Sequence, residues 1–149
     1  MKITDFLQPG DVLVDLAIPS KQRLLQILSE KAGAALRLDG VAILAALNKR
    51  EELGSTGIGQ GIAIPHTSPA GLAKPFGLLA RLAKPLDFNA IDEKPVDIVF
   101  LLLSPDDRSV HLAVLSAVAR RLRSADIQRA LRSARTADQA YAAMTATAE

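Results

Sequence analysis

The run Val96-Asp97-Ile98-Val99-Phe100-Leu101-Leu102-Leu103 holds seven apolar side chains in eight positions. A segment this short and apolar, without alternation, is a strand buried on both faces, because a strand with one wet face alternates. Such a strand needs a covering layer on each side of its sheet. The flanking sequence offers both. Upstream, Ser20 is placed to cap a helix over Lys21–Leu38, with Leu24, Leu25, Leu28, Ala32, Ala35 and Leu36 at helical spacing and Gly40 as its stop signal. A second helix over 41–52 points Val41, Leu44, Leu47 and Leu53 toward the core and ends at Gly54. Downstream, Ser109–Arg123 repeats Leu112, Leu115, Ala119 and Leu122 every three or four residues, and Asp126–Ala134 and Thr136–Ala146 read as two more helices.

Further strands are expected over 11–18, 61–65 and 77–82, with a helical turn at 3–7 before Pro9-Gly10 and turns at Pro75 and Pro85. Helices first, strands in the middle and helices last predict an α/β fold, with a mixed central β-sheet flanked by helices in a single layered domain over 1–149. The alanine-rich end fits helix, where Ala costs least.

With 49% hydrophobic but 3% aromatic residues, the core must be built mostly from aliphatic side chains. A formal charge of +2 gives no strong positive field, so no nucleic-acid partner is expected. The arginines at 120, 121, 123, 129, 132 and 135 form a solvated basic face able to dock an acidic partner. Cysteine is absent, which removes disulfides, thiolate chemistry and the usual structural zinc ligands. The start, MKITDFLQPGD, lacks the apolar segment of a signal peptide, and no run reaches membrane-spanning length. A cytoplasmic protein without membrane insertion is the expectation.

Chemistry concentrates in GSTGIGQGIAIPH, residues 54–66. Gly57, Gly59 and Gly61 suit either a loop that brings backbone N–H groups to a phosphate or tight turns ahead of a hairpin. Neither a dinucleotide fingerprint nor a P-loop fits, because the glycines follow a helix and lead into a strand, and no Gly-Lys-Ser/Thr is present. His66, after Pro65 at a strand end, is either a hydrogen-bonded, partly buried imidazole or a nucleophile, which neutral imidazole is at pH 7 with little activation. His111, at the start of a helix, is either an exposed first-turn residue or a neutral ring donating one N–H to a phosphoryl oxygen. Arg50 suits a helix C-terminus electrostatically and also matches phosphate as a bidentate fork. Ser55 and Thr56 are either hydroxyl donors or turn residues. No acidic residue or cysteine stands three or four positions after either histidine, so no metal and no cofactor are expected.

Taken together, Arg50-Glu51-Glu52-Leu53-Gly54-Ser55-Thr56-Gly57-Ile58-Gly59 and Gly61-Ile62-Ala63-Ile64-Pro65-His66 resemble the signature of the enzyme IIA domains of the phosphoenolpyruvate-dependent phosphotransferase system, mannitol/fructose class, and most of all the nitrogen-regulatory type. The segments Pro95–Leu102 and His111-Leu112, with Leu115 and Arg121-Leu122, extend the likeness over nearly the whole chain. The resemblance implies the mannitol/fructose-type IIA fold. It implies phosphorylation of His66 at Nε2 by an HPr-like phosphocarrier, with His111 and Arg50 as active-site partners and Ser55, Thr56, Gly57 and Gly59 in a phosphoryl-stabilising loop. It also implies onward action on regulatory target proteins or, as in the sugar systems, transfer to a separate IIB. Thr67 stands where family members commonly carry glycine. Two other classes compete: a nucleotide-binding module in which neither histidine reacts, and a phosphatase, which would need a base for water that no carboxylate next to His66 in sequence supplies.

Overall fold

The computed structural model describes residues 2–146. Two 3-10 turns, Ile3–Asp5 and Pro9–Asp11, lead into strand β1, Val12–Leu16. Two helices follow, α1 at Lys21–Leu36 and α2 at Gly40–Glu52. Then come β2 (Gly57–Gly59), β3 (Ile62–Ala63), β4 (His66–Thr67), β5 (Phe76–Leu86) and β6 (Val96–Leu103). Helices α3 (Arg108–Leu122), α4 (Ala125–Ser133) and α5 (Ala137–Thr145) close the chain.

One sheet runs in the order β1-β5-β6-β3-β2, with β4 also pairing β6. It is mixed: β1 is parallel to β5, β5 is antiparallel to β6, and β3 and β4 both lie parallel to β6. The apolar run at 96–103 is the strand that β5 flanks on one side and β3 and β4 on the other, and its side chains divide as expected of a strand covered twice. Val99, Leu101 and Leu103 join the core packed with α1 and α2, while Ile98, Phe100 and Leu102 join the one beneath α3, α4 and α5. Gly77 makes the second layer possible, since a Cβ there would stand 2.6 Å from the Phe100 ring.

Several local expectations require correction. α1 stops two residues early because Arg37 adopts the left-handed conformation (φ 56°), and Gly40 does not stop it but opens α2 behind the Asp39 cap. Helix phase differs from the expected one in two places. Val41 and Leu53 are 76% and 82% exposed, and α2 buries Ile43 beside the expected Leu47. Leu112 is half-exposed, and α3 buries Val114, Val118 and Leu122. Pro85 does not break the chain but lies inside β5, beyond Leu82, the last residue paired with β1, and within a register shift against β6, so its missing N–H interrupts no regular ladder. The 61–65 segment is a strand only at Ile62–Ala63, and the glycine run itself contributes β2.

Candidate active site

Arg50 sits in the last turn of α2, half-buried, with Nη1 donating to the Gly54 carbonyl at 2.8 Å. That bond folds its guanidinium over the segment that follows. Glu51, next in sequence, turns inward: its carboxylate accepts the Thr56 backbone N–H at 3.2 Å and the Thr56 hydroxyl, and pairs with Lys21 Nζ at 2.8 Å. Lys21 in turn donates to the Phe88 carbonyl and lies 4.5 Å from the Phe88 ring centroid. The chain from Gly54 to Gly57 is thus tied to α1 and to the loop after β5.

The glycines serve this path. Gly57 lies against Ala90, where an added Cβ would come within 2.8 Å, and its N–H is held by Ser55 Oγ. Gly59 (φ 98°) and Gly61 (φ 80°) bracket Gln60 in the tight turn joining β2 to β3. Ser55 donates its hydroxyl to the Phe88 carbonyl at 2.7 Å. The hydroxyl protons of Ser55 and Thr56 are therefore engaged in holding the loop.

His66 and Thr67 form β4, paired with Leu102 and Leu103 of β6, and the Pro65 carbonyl accepts the Leu102 N–H at 2.9 Å. Thr67 is in extended backbone there and needs no glycine. The His66 ring is half-buried, and Nδ1 donates to its own chain's Ile64 carbonyl at 2.7 Å. With the proton on Nδ1, Nε2 carries the free lone pair. Burial, opposed by that bond, and then the nearby charges of Arg50 and His111 hold the ring's pKa below its ordinary 6.5, while Glu51 opposes them. His66 is neutral at pH 7.

His111 enters from the first turns of α3, which Asp107 caps. Its ring centroid lies 5.3 Å from that of His66, at 42°. Burial lowers its pKa as well. Its Nδ1 is hydrogen-bonded to Ser104 Oγ, at the base of β6. Arg50, Ser55, Thr56, His66, Leu112 and Arg120 are among the residues lining one hollow of about 580 Å³. The structure brings His66 beside His111, and Arg50, Ser55 and Thr56 to the same hollow, while Gly57 and Gly59 do not line it. A larger groove, about 930 Å³, runs past Lys21, Asn48 and Glu52, and neither histidine lines it. Among the described residues no group of three or more His, Cys, Asp or Glu is placed to hold a metal ion.

The family described as phosphoenolpyruvate-dependent sugar phosphotransferase system, EIIA 2, matches residues 5–146. The chain belongs to this enzyme IIA family. It is 43% identical to the nitrogen regulatory protein of Bradyrhizobium diazoefficiens over 145 residues, 97% of this chain and 95% of that protein. The crystal structure of the nitrogen regulatory protein IIA-Ntr from Neisseria meningitidis superposes with a TM-score of 0.90 at 34% identity, covering 96% of this chain and 99% of that one. The fold also matches enzyme IIA-Mtl from Escherichia coli in its complex with phosphorylated enzyme IIB-Mtl, with a TM-score of 0.77 at 13% identity over 95% of this chain and 100% of that one. This IIA protein is thus a component of a phosphoryl-transfer system, similar to the nitrogen regulatory proteins. No helix among its described residues is long and apolar enough to cross a membrane.

Two side chains of the IIA site escaped the sequence reading. Glu51 lies within the Arg50 signature, but its inward turn depends on Lys21, thirty positions earlier. Ser104 carries a visible signal: it is the one hydroxyl at the close of an apolar strand, seven residues before His111. The third omission is a carbonyl, that of Ile64, which no residue type announces.

Proposed function

We propose that this IIA protein is a phosphohistidine carrier that takes a phosphoryl group from an HPr-like phosphocarrier onto His66 and, through its phosphorylation state, controls target proteins in the cytoplasm. The observation that carries the reading is the pinned tautomer of His66. Its Nδ1 proton is held by the Ile64 carbonyl and its Nε2 is the free base, next to a second imidazole and in one hollow with a guanidinium.

The step balances as follows. The Nε2 lone pair of His66 attacks the phosphorus of the donor's phosphohistidine. A new N–P bond forms as the donor's breaks, and that bond's electron pair returns to the donor ring, which carries a proton on its other nitrogen and so leaves as neutral imidazole. His66 keeps its Nδ1 proton, so its ring turns positive, and the Ile64 oxygen at 2.7 Å meets that charge with a strengthened hydrogen bond. Phosphoryl transfer has a loose transition state with charge on three equatorial oxygens, so alignment and electrostatic stabilisation are the protein's share. Arg50 supplies a fixed positive charge to those oxygens and His111 an N–H. Ser55 and Thr56, with hydroxyls engaged elsewhere, act by holding the loop's shape. These 149 residues hold no cysteine, so any onward transfer of the sugar-system kind requires a IIB cysteine outside them.

Incubation with phosphoenolpyruvate, enzyme I and an HPr-type carrier, followed by mass spectrometry, tests this. One acid-labile phosphate is expected on the wild type and none on His66→Ala. Phosphate on the variant, or none on the wild type, overturns the assignment. Saturable nucleotide binding indifferent to His66→Ala would favour a binding module instead.

A further inference from the structure

We propose that Ser104 is a positioning residue that sets the tautomer of His111, presenting its Nε2 as a hydrogen-bond donor. This deepens the carrier reading above and rests on it for its role in transfer, though not for its geometry.

Ser104 follows directly on Leu103, the last residue of β6, and is fully buried. Its backbone N–H donates to the Thr67 carbonyl at 3.2 Å, which ties the residue to the end of the strand that carries His66. Among the described residues its hydroxyl has one hydrogen-bond partner, Nδ1 of His111. Two arrangements satisfy that contact. If Nδ1 carried the proton, it would donate to Ser104 Oγ, and the serine's own O–H would be left buried without an acceptor, at a cost comparable to a lost hydrogen bond or more. If the serine donates, both groups are satisfied, Nδ1 is an acceptor and the proton of the neutral ring stands on Nε2. Burial, which disfavours the charged imidazolium, keeps the choice between the two neutral forms.

The two rings are therefore set in opposite senses by two different partners. The Ile64 carbonyl makes His66 a base at Nε2, and the Ser104 hydroxyl makes His111 a donor at Nε2, with the rings 5.3 Å apart. A neutral imidazole interconverts between its two tautomers unless a partner chooses one. Without Ser104, part of the His111 population would present a lone pair to an incoming anion and repel it.

Nitrogen NMR of the imidazoles in the unphosphorylated protein reads the tautomer directly. In the wild type, His111 is expected as the Nε2–H form and His66 as the Nδ1–H form. Ser104→Ala is expected to bring the two His111 nitrogen shifts toward each other, as a mixture of tautomers does, leave the His66 pattern unchanged, and slow phosphoryl acceptance about twofold, the loss of competent rings when the two tautomers are comparably populated. Ser104→Thr, which keeps the hydroxyl, should restore both. A wild-type His111 carrying its proton on Nδ1 overturns the proposal even if the alanine variant does not fold. So does an unmixed Nε2–H pattern in Ser104→Ala, or an unaltered transfer rate once the tautomer is mixed. A wild type with the expected tautomers that takes no phosphate refutes the carrier reading and the role of Ser104 in it, while leaving the hydrogen bond established.

Discussion

Replacing Glu51 by alanine should be among the most damaging single changes outside the two cores. The side chain is 8% exposed, and its carboxylate receives three donors: the Thr56 N–H, the Thr56 hydroxyl and the Lys21 ammonium. Thr56 is itself 3% exposed, so water cannot replace the lost acceptor at either of its groups. Each buried donor left unpaired costs about 1–3 kcal/mol. Lys21 keeps the Phe88 carbonyl and ring but loses its counter-charge at a mostly buried position, the kind of broken pair that costs about 3–5 kcal/mol. These penalties overlap, because the freed groups relax together, and a total of about 3–5 kcal/mol is the expectation. That is a fifth or more of the stability of a typical domain. Glu51→Gln keeps an oxygen for Thr56 and gives up only the charge, so it should lose about half as much. Urea unfolding followed by circular dichroism measures both through the midpoint at unchanged slope. A loss below about 1 kcal/mol for the alanine variant, or equal losses for the two, would refute the view that this carboxylate holds the loop under the active site.

Three further outcomes follow from the same geometry. Both histidines have pKa values held below 6.5 in the folded protein, chiefly by burial, so below about pH 6.5 the unfolded chain binds more protons than the native one. Stability should be level above neutrality and fall as pH drops through 6.5 toward the folded values, and a denaturation midpoint that rises with acid in that interval would contradict this. His111→Ala and Arg50→Lys should both slow phosphoryl acceptance with the circular dichroism spectrum retained, the lysine because a point charge replaces a planar fork; a single-turnover rate equal to wild type removes the residue from the mechanism. Gly77→Ala should destabilise by about 1–3 kcal/mol in thermal or urea unfolding, because its Cβ would meet the Phe100 ring at 2.6 Å between layers that cannot both move.

The layered architecture was legible because one strand announced it: 96–103 has no polar face, and a sheet built around it needs helices above and below. Helix existence was also readable from spacing, whereas helix rotation was not. Leu112 and Leu53 are as apolar as their buried neighbours, and only the packing of α2 and α3 decided that Ile43, Val114 and Val118 go inside. Arg37 in the left-handed region gives no compositional warning, since glycine is the residue that usually marks such a stop. At the site, rare residue types stood out: both histidines of the chain come into contact, and the arginine ahead of the glycines reaches the same hollow. What directs their protons did not stand out, because the Ile64 carbonyl and the Ser104 hydroxyl act through common groups whose partners are set by the register of β4 against β6. The glycines suit an anion cradle or tight turns equally in sequence, and the local geometry of Gly57 and Gly59 is set by Ala90 and by a hairpin turn.

The pairing of β4 with β6 separates two demands that many surfaces must reconcile. His66 is mounted on the sheet beside β6, clasped at Leu102 by the Pro65 carbonyl, while Leu112 and Arg120 stand on the outward side of α3, a separate element. Substitutions along that helix can retune which visitor is admitted, and the aim of the imidazole stays the same.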